Sequence, residues 1–141
     1  MKKYILLILT LILILYLIWY FTPISLDTLL NKHIDVSNVE EVHITIFKTV
    51  FSEEKIVITD KLKVKDLIDI LGNIKVRSTI QPTSNYVFRP KLYNTYYIKL
   101  NKDRDYIAVD IMDDQYIVLG RKTYKIVNEY NLKDIYDIIY R

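Results

Sequence analysis

The sequence predicts an α+β domain behind one apolar N-terminal helix, and three observations carry that prediction. Tyr4 to Phe21 contain no charged residue. Two later stretches, near residues 61–71 and 132–139, repeat their apolar residues at helical spacing. The remaining segments alternate apolar and polar residues with a period of two, and short polar turns divide them. Two amphipathic helices and a mostly antiparallel sheet are most simply arranged as two layers, with the helices on one face.

Tyr4 to Phe21 is read first as a membrane anchor. Eighteen residues at ~1.5 Å each give roughly 27 Å, against a hydrocarbon thickness of about 30 Å. Lys2 and Lys3 precede the run, whereas the residues just after it carry Lys32 against Asp27 and Asp35. By the positive-inside rule the N-terminus stays in the cytoplasm and the chain from Thr22 onward lies outside it. Tyr16, Trp19, Tyr20 and Phe21 gather at the outer end, where amphipathic rings favour the headgroup region. A cleaved signal peptide is the competing reading, but it needs small residues where this run ends in Trp19, Tyr20, Phe21, Thr22 and Pro23. A lipoprotein signal needs a cysteine, and the chain has none.

The expected organisation is thus an anchor over residues 1–21, a juxtamembrane connector with a short helix over 22–38, and one extracytoplasmic domain over 39–141. Pro23 ends the first helix, and Ser25 caps a helix of Leu26 to Leu30. Val42, Ile44 and Ile46 alternate with His43, Thr45 and Phe47 in a strand over 41–49. Its partner runs over 55–59, joined through a hairpin of Phe51, Ser52, Glu53 and Glu54. Asp60 caps a helix whose Val64, Leu67, Ile68 and Leu71 form one stripe, and Gly72 is expected as its left-handed C-terminal cap. Ile74 and Val76 open another extended segment. Four strands follow over 93–100, 105–112, 116–119 and 123–127, with turns at 101–104, Asp113-Asp114 and Gly120-Arg121 that imply an antiparallel meander. Asn131 then caps a helix with a stripe of Leu132, Ile135, Tyr136 and Ile139.

Charge and composition exclude several functions. The net charge of +3 falls to +1 once Lys2 and Lys3 are set aside, leaving 18 basic against 17 acidic residues. Sequence-independent nucleic-acid binding requires a basic face, so no nucleic-acid partner is expected. Without cysteine the domain has neither disulfides nor thiolate-bound zinc. His33 and His43 lie near a helix end and on an exposed strand face, so no metal or other cofactor is expected. Asp103 with Asp105, and Asp113 with Asp114, sit at opposite ends of one strand, about 25 Å apart at ~3.3 Å per residue, and read as turn residues. No G-x-S-x-G or S-x-x-K pattern is present. A glycosidase pair is recognised by three-dimensional spacing alone. The chain is read as non-catalytic.

What remains is a stretch over 78–92 without periodicity, longer than most loops in compact domains. Tyr86, Phe88 and Tyr93 lie in or beside it among Arg77, Arg89 and Lys91, together with Lys75. Rings among cations suit an anionic, carbohydrate or lipid-headgroup contact, and Arg77, Tyr86, Phe88, Arg89, Lys91 and Tyr93 form the candidate binding surface. The structural alternative is a loop tucked over the sheet by its own aromatics. The expected function is a protein-binding module at the cell envelope. The rivals are a small-ligand or wall-polymer sensor and, behind it, an envelope enzyme.

The lysine-flanked apolar run, Thr59-Asp60-Lys61 leading to Leu67-Ile68-Asp69-Ile70-Leu71 and Asn73-Ile74-Lys75, and the stretch from Ile117 to Ile126 carry a family likeness. They resemble small exported or membrane-anchored proteins of low-GC Gram-positive bacteria that contain a domain of unknown function. The resemblance spans about residues 40–140. It implies an envelope location and agrees with the fold, and it brings no functional residues with it.

Overall fold

A computed structural model describes residues 2–49, 52–79, 95–112 and 115–141. The chain is α+β, an apolar N-terminal helix followed by an eight-stranded antiparallel sheet with helices. Helix α1 (Lys2–Phe21) leads into a two-residue strand β1 (Ile24–Ser25) and helix α2 (Leu26–Leu30). A 3₁₀ turn (Val36–Asn38) precedes β2 (Glu41–Thr49), β3 (Ser52–Ile58), α3 (Lys61–Gly72) and β4 (Lys75–Ser78). The meander is β5 (Thr95–Lys102), β6 (Asp105–Met112), β7 (Tyr116–Leu119) and β8 (Lys122–Ile126), and α4 (Leu132–Tyr140) ends the chain.

Helix α1 projects from the domain, which it meets near β4. From Lys3 to Phe21 it is long and apolar enough to cross a membrane, and none of that length is buried. The hydroxyl of Thr10 donates to the Leu6 carbonyl at 2.9 Å, so the apolar stretch satisfies its one threonine internally. Tyr16 packs against Trp19 and Tyr20, with ring centroids 6.3 and 6.1 Å apart.

The sheet order is β1-β4-β8-β7-β6-β5-β2-β3, antiparallel at each step whose pairing is described. Six such steps separate β3 from β4, so these sequence neighbours point the same way from opposite sides of the meander. Helix α3 must therefore carry the chain across one face. That face is the core side. Register aligns Val42 with Leu100 and Ile107, Ile44 with Ile98 and Val109, and Ile46 with Tyr96, Ile111, Ile117 and Tyr124. All are buried, in one cluster with Val64, Leu67 and Leu71 of α3 and Ile135, Ile138 and Ile139 of α4. Leu26, Leu29, Leu30, Ile34 and Val36 join the same cluster. The connector over 22–38 is thus built into the domain.

Local chemistry explains the helix ends. The Ser25 side chain accepts from the Thr28 amide, Asp60 from those of Leu62 and Lys63, and Asn131 from that of Lys133. Asn128 ties the helix layer to the sheet edge, accepting from the Lys75 amide at 2.7 Å and donating to the Asn73 carbonyl at 3.0 Å.

Several expectations need correction. Strand β3 begins at Ser52, paired with Thr49, so Ser52, Glu53 and Glu54 belong to the strand and not to the hairpin turn. Charged residues misled the reading because β3 is an edge strand, where charges block further pairing. The 101–104 turn shrinks to Asp103 and Arg104, since Lys102 pairs with Asp105, and Asp103 takes a left-handed φ of 49°. The strand expected over 123–127 runs one residue earlier, because Lys122 already pairs with Leu119. The strand expected from Tyr93 is described from Thr95 and continues to Lys102. The turn at Asp113-Asp114 lies outside the described residues.

Gly72 is not a left-handed cap. Asn73 closes α3 with a helical φ of −76°, and the left-handed glycine is Gly120, φ 61°, in the β7–β8 turn. Gly72 serves closeness instead: a Cβ there would lie 3.3 Å from the Cβ of Asp27, so the bare backbone lets α2 approach α3. Tyr136 also leaves its expected stripe. It is 48% exposed and its ring lies 4.3 Å from that of Tyr140, while Ile138 takes the buried position. Tyr140 in turn hydrogen-bonds Glu54, the bond that chiefly pushes its phenol up to about 12.

Candidate functional site

The two faces of the sheet differ. The outer face, opposite the helices, carries Phe47, Val57 and Tyr106 exposed, and Lys99 places its ammonium 4.2 Å from the centre of the Tyr106 ring. Its central row runs Thr45, Tyr97, Asp110, Val118 and Thr123. Thr123 is only 6% exposed. Burial pushes the Asp110 carboxyl above the usual carboxylate range. It also raises the Tyr97 phenol, to which the negative charge of Asp110 adds.

That carboxyl gives the domain a pH response. A group that holds its proton more tightly folded than unfolded favours folding at low pH, and the advantage is lost as pH rises through the folded-state value. The unfolding midpoint should therefore rise as the pH is lowered from neutral into the raised range of Asp110. Asp35 acts in the opposite sense at lower pH, because its hydrogen bond from the Ser37 hydroxyl leads the causes that hold its carboxyl low. Asp110→Asn should raise the midpoint at pH 7 and flatten the upper part of the profile. Thermal unfolding followed across pH for both proteins checks this; parallel profiles would refute it.

Of the six residues expected to form the binding surface, Arg77 is described. It is half-buried on β4, paired with Lys125 of β8 and thus on the outer face. Tyr86, Phe88, Arg89, Lys91 and Tyr93 lie outside the described residues. The histidines stay apart in the fold. His43 is on the outer face of β2, its Nε2 2.9 Å from Glu41, and His33 is exposed just beyond α2. Among the described residues no group of three or more His, Asp or Glu is placed to hold a metal ion.

A feature the sequence did not announce is a groove of about 1050 Å³ between the 3₁₀ turn and α3. Its apolar lining is Val36, Val39, Val64 and Ile68. Along α3 the rim runs from Lys61 and Lys65 to Asp69, beyond which lies Asp27 of α2; Glu40, Lys102 and Asp103 also border it. Asp27 accepts from the Asn31 amide at 2.9 Å and Lys102 lies 3.8 Å from Asp35. Lys61, Lys65, Asp69, Glu40 and Asp103 make no ion pair among the described residues. In sequence, Lys61, Lys65 and Asp69 fall off the apolar stripe of α3 and look like ordinary helix-surface charges. The available signal was their order, basic before acidic, at spacings of four. No family model, curated protein or solved structure matches the chain.

Proposed function

We propose that the chain is a single-pass, membrane-anchored binding module whose α+β domain stands outside the cytoplasm and engages a protein partner at the cell envelope. The observation that carries the reading is α1, an apolar helix from Lys3 to Phe21 none of which is buried in the domain. A core helix of a soluble protein would be covered by its own domain. Lys2 and Lys3 before the helix, and aromatic rings at its other end, favour an N-terminus in the cytoplasm. The resemblance to exported proteins of low-GC Gram-positive bacteria favours the same location. An outer sheet face with exposed Phe47, Val57 and Tyr106 among lysines supports a non-catalytic, contact-making role, and Arg77 lies on that face.

Digestion of intact protoplasts carrying a tag after Arg141 tests the topology, with a cytoplasmic protein as the leakage control. Loss of the tag from intact protoplasts is the expected result. A tag that resists until the cells are permeabilised, and is then digested, overturns the envelope reading.

A further inference from the structure

We propose that the groove between the 3₁₀ turn and α3 is a binding site for a short extended peptide with free termini. Its amino end would lie at Asp69 and Asp27, and its carboxylate at Lys61 and Lys65. The site depends neither on the side of the membrane the domain faces nor on any partner of the outer sheet face.

Three observations select this ligand class. The groove combines apolar lining with charges of both signs, and its volume of about 1050 Å³ reaches the upper end of ordinary ligand pockets. Along the helical wall its charges are ordered, while Glu40, Lys102 and Asp103 border the opposite wall. Lys61 and Lys65 occupy the N-terminal half of α3, where the helix dipole also favours an anion, and Asp69 and Asp27 take the other end. The charges are also available, since Lys61, Lys65 and Asp69 have no ion-pair partner among the described residues.

Spacing then sets the length. Eight residues separate Lys61 from Asp69, about 12 Å along the helix axis. An extended chain covers that in about four residues at ~3.3 Å each. A ligand with its two charges on one carbon, such as free alanine, cannot reach both ends. Val39 and Ile68, half-buried over the buried Val36 and Val64, would receive the apolar side chains between the termini.

The test uses the full chain in lipid nanodiscs, with methyl resonances of Val36, Val39, Val64 and Ile68 followed by NMR. The probe is the tetrapeptide alanyl-valyl-valyl-alanine with free termini. A saturable shift of these methyls is expected, with affinity in the millimolar to micromolar range. Removing one charge-assisted contact should weaken binding by roughly tenfold. N-terminal acetylation should therefore weaken it, and so should Asp69→Asn; in that variant acetylation should matter less. C-terminal amidation should act likewise, and its effect should shrink in the double variant Lys61→Gln with Lys65→Gln. These side chains are exposed, so the variants should retain the wild-type methyl spectrum without peptide. Absence of a saturable shift, or equal binding of the acetylated and amidated peptide, would overturn the proposal. So would equal binding of free alanine.

Discussion

Replacing Leu67 by alanine should cost the domain about 3 to 4 kcal/mol of unfolding free energy, from the middle of the range for a buried leucine that leaves a cavity. Leu67 is fully buried at the centre of α3, between Val64 and Leu71 on the same stripe. The site cannot easily collapse, because α2 and α4 both pack on α3 and fix its position. Against a typical total of about 5 to 15 kcal/mol, such a loss leaves a marginal fold. Denaturant unfolding of the full chain in detergent micelles, followed by near-ultraviolet circular dichroism of the tyrosines, measures it. Ile68→Ala, half-buried on the groove side of the same helix, should cost clearly less. Equal losses at the two positions would contradict the orientation of α3.

The second large effect concerns α1. Leu13→Arg puts a cation near the middle of the Lys3–Phe21 stretch. On insertion scales a central arginine is unfavourable by about 2.5 to 3.5 kcal/mol and a leucine favourable by about 0.5, so the exchange costs about 3 to 4 kcal/mol. That shifts the inserted-to-uninserted ratio by a factor of roughly 100 or more. The fraction resisting carbonate extraction reports it, with Leu13→Ala as the mild control. The melting of the domain should stay unchanged, because α1 contributes nothing to its core. A collapse of domain stability with no change in membrane retention would mean that the helix is packed in the fold.

Much of the fold was legible because its signals are local. Ser25, Asp60 and Asn131 each precede an apolar helical stripe, and all three accept the amide bonds expected of a cap. Strand β6 ends where its alternation ends, and β7 covers the residues expected of it. The errors arose where a residue answers to distant partners. Gly72 reads as a cap in isolation, yet its lack of a side chain serves contact with Asp27, 45 positions earlier. Glu53 and Glu54 read as a turn because nothing local says that their strand lies at an edge. The groove was illegible for the same reason. Its walls come from α2, the 3₁₀ turn, α3 and the β5–β6 turn, and each charge on them looks like ordinary solvated surface in sequence. Of the expected binding residues only Arg77 falls on a described strand, so that surface stands as a proposal.

The sheet order also governs when the domain can mature as it leaves the ribosome. Strand β2 finds its inner neighbour in β5, and β4 finds its own in β8, 122 positions into the chain. The first half can form little more than the β2–β3 hairpin, which alone is marginally stable in water. Long-range pairing of this kind is slow and leaves unpaired edges exposed while it waits. On the proposed topology that waiting happens at the bilayer surface, where a holding chaperone would help. Truncations within the final strand should be the most damaging, because they leave β4 without its inner neighbour.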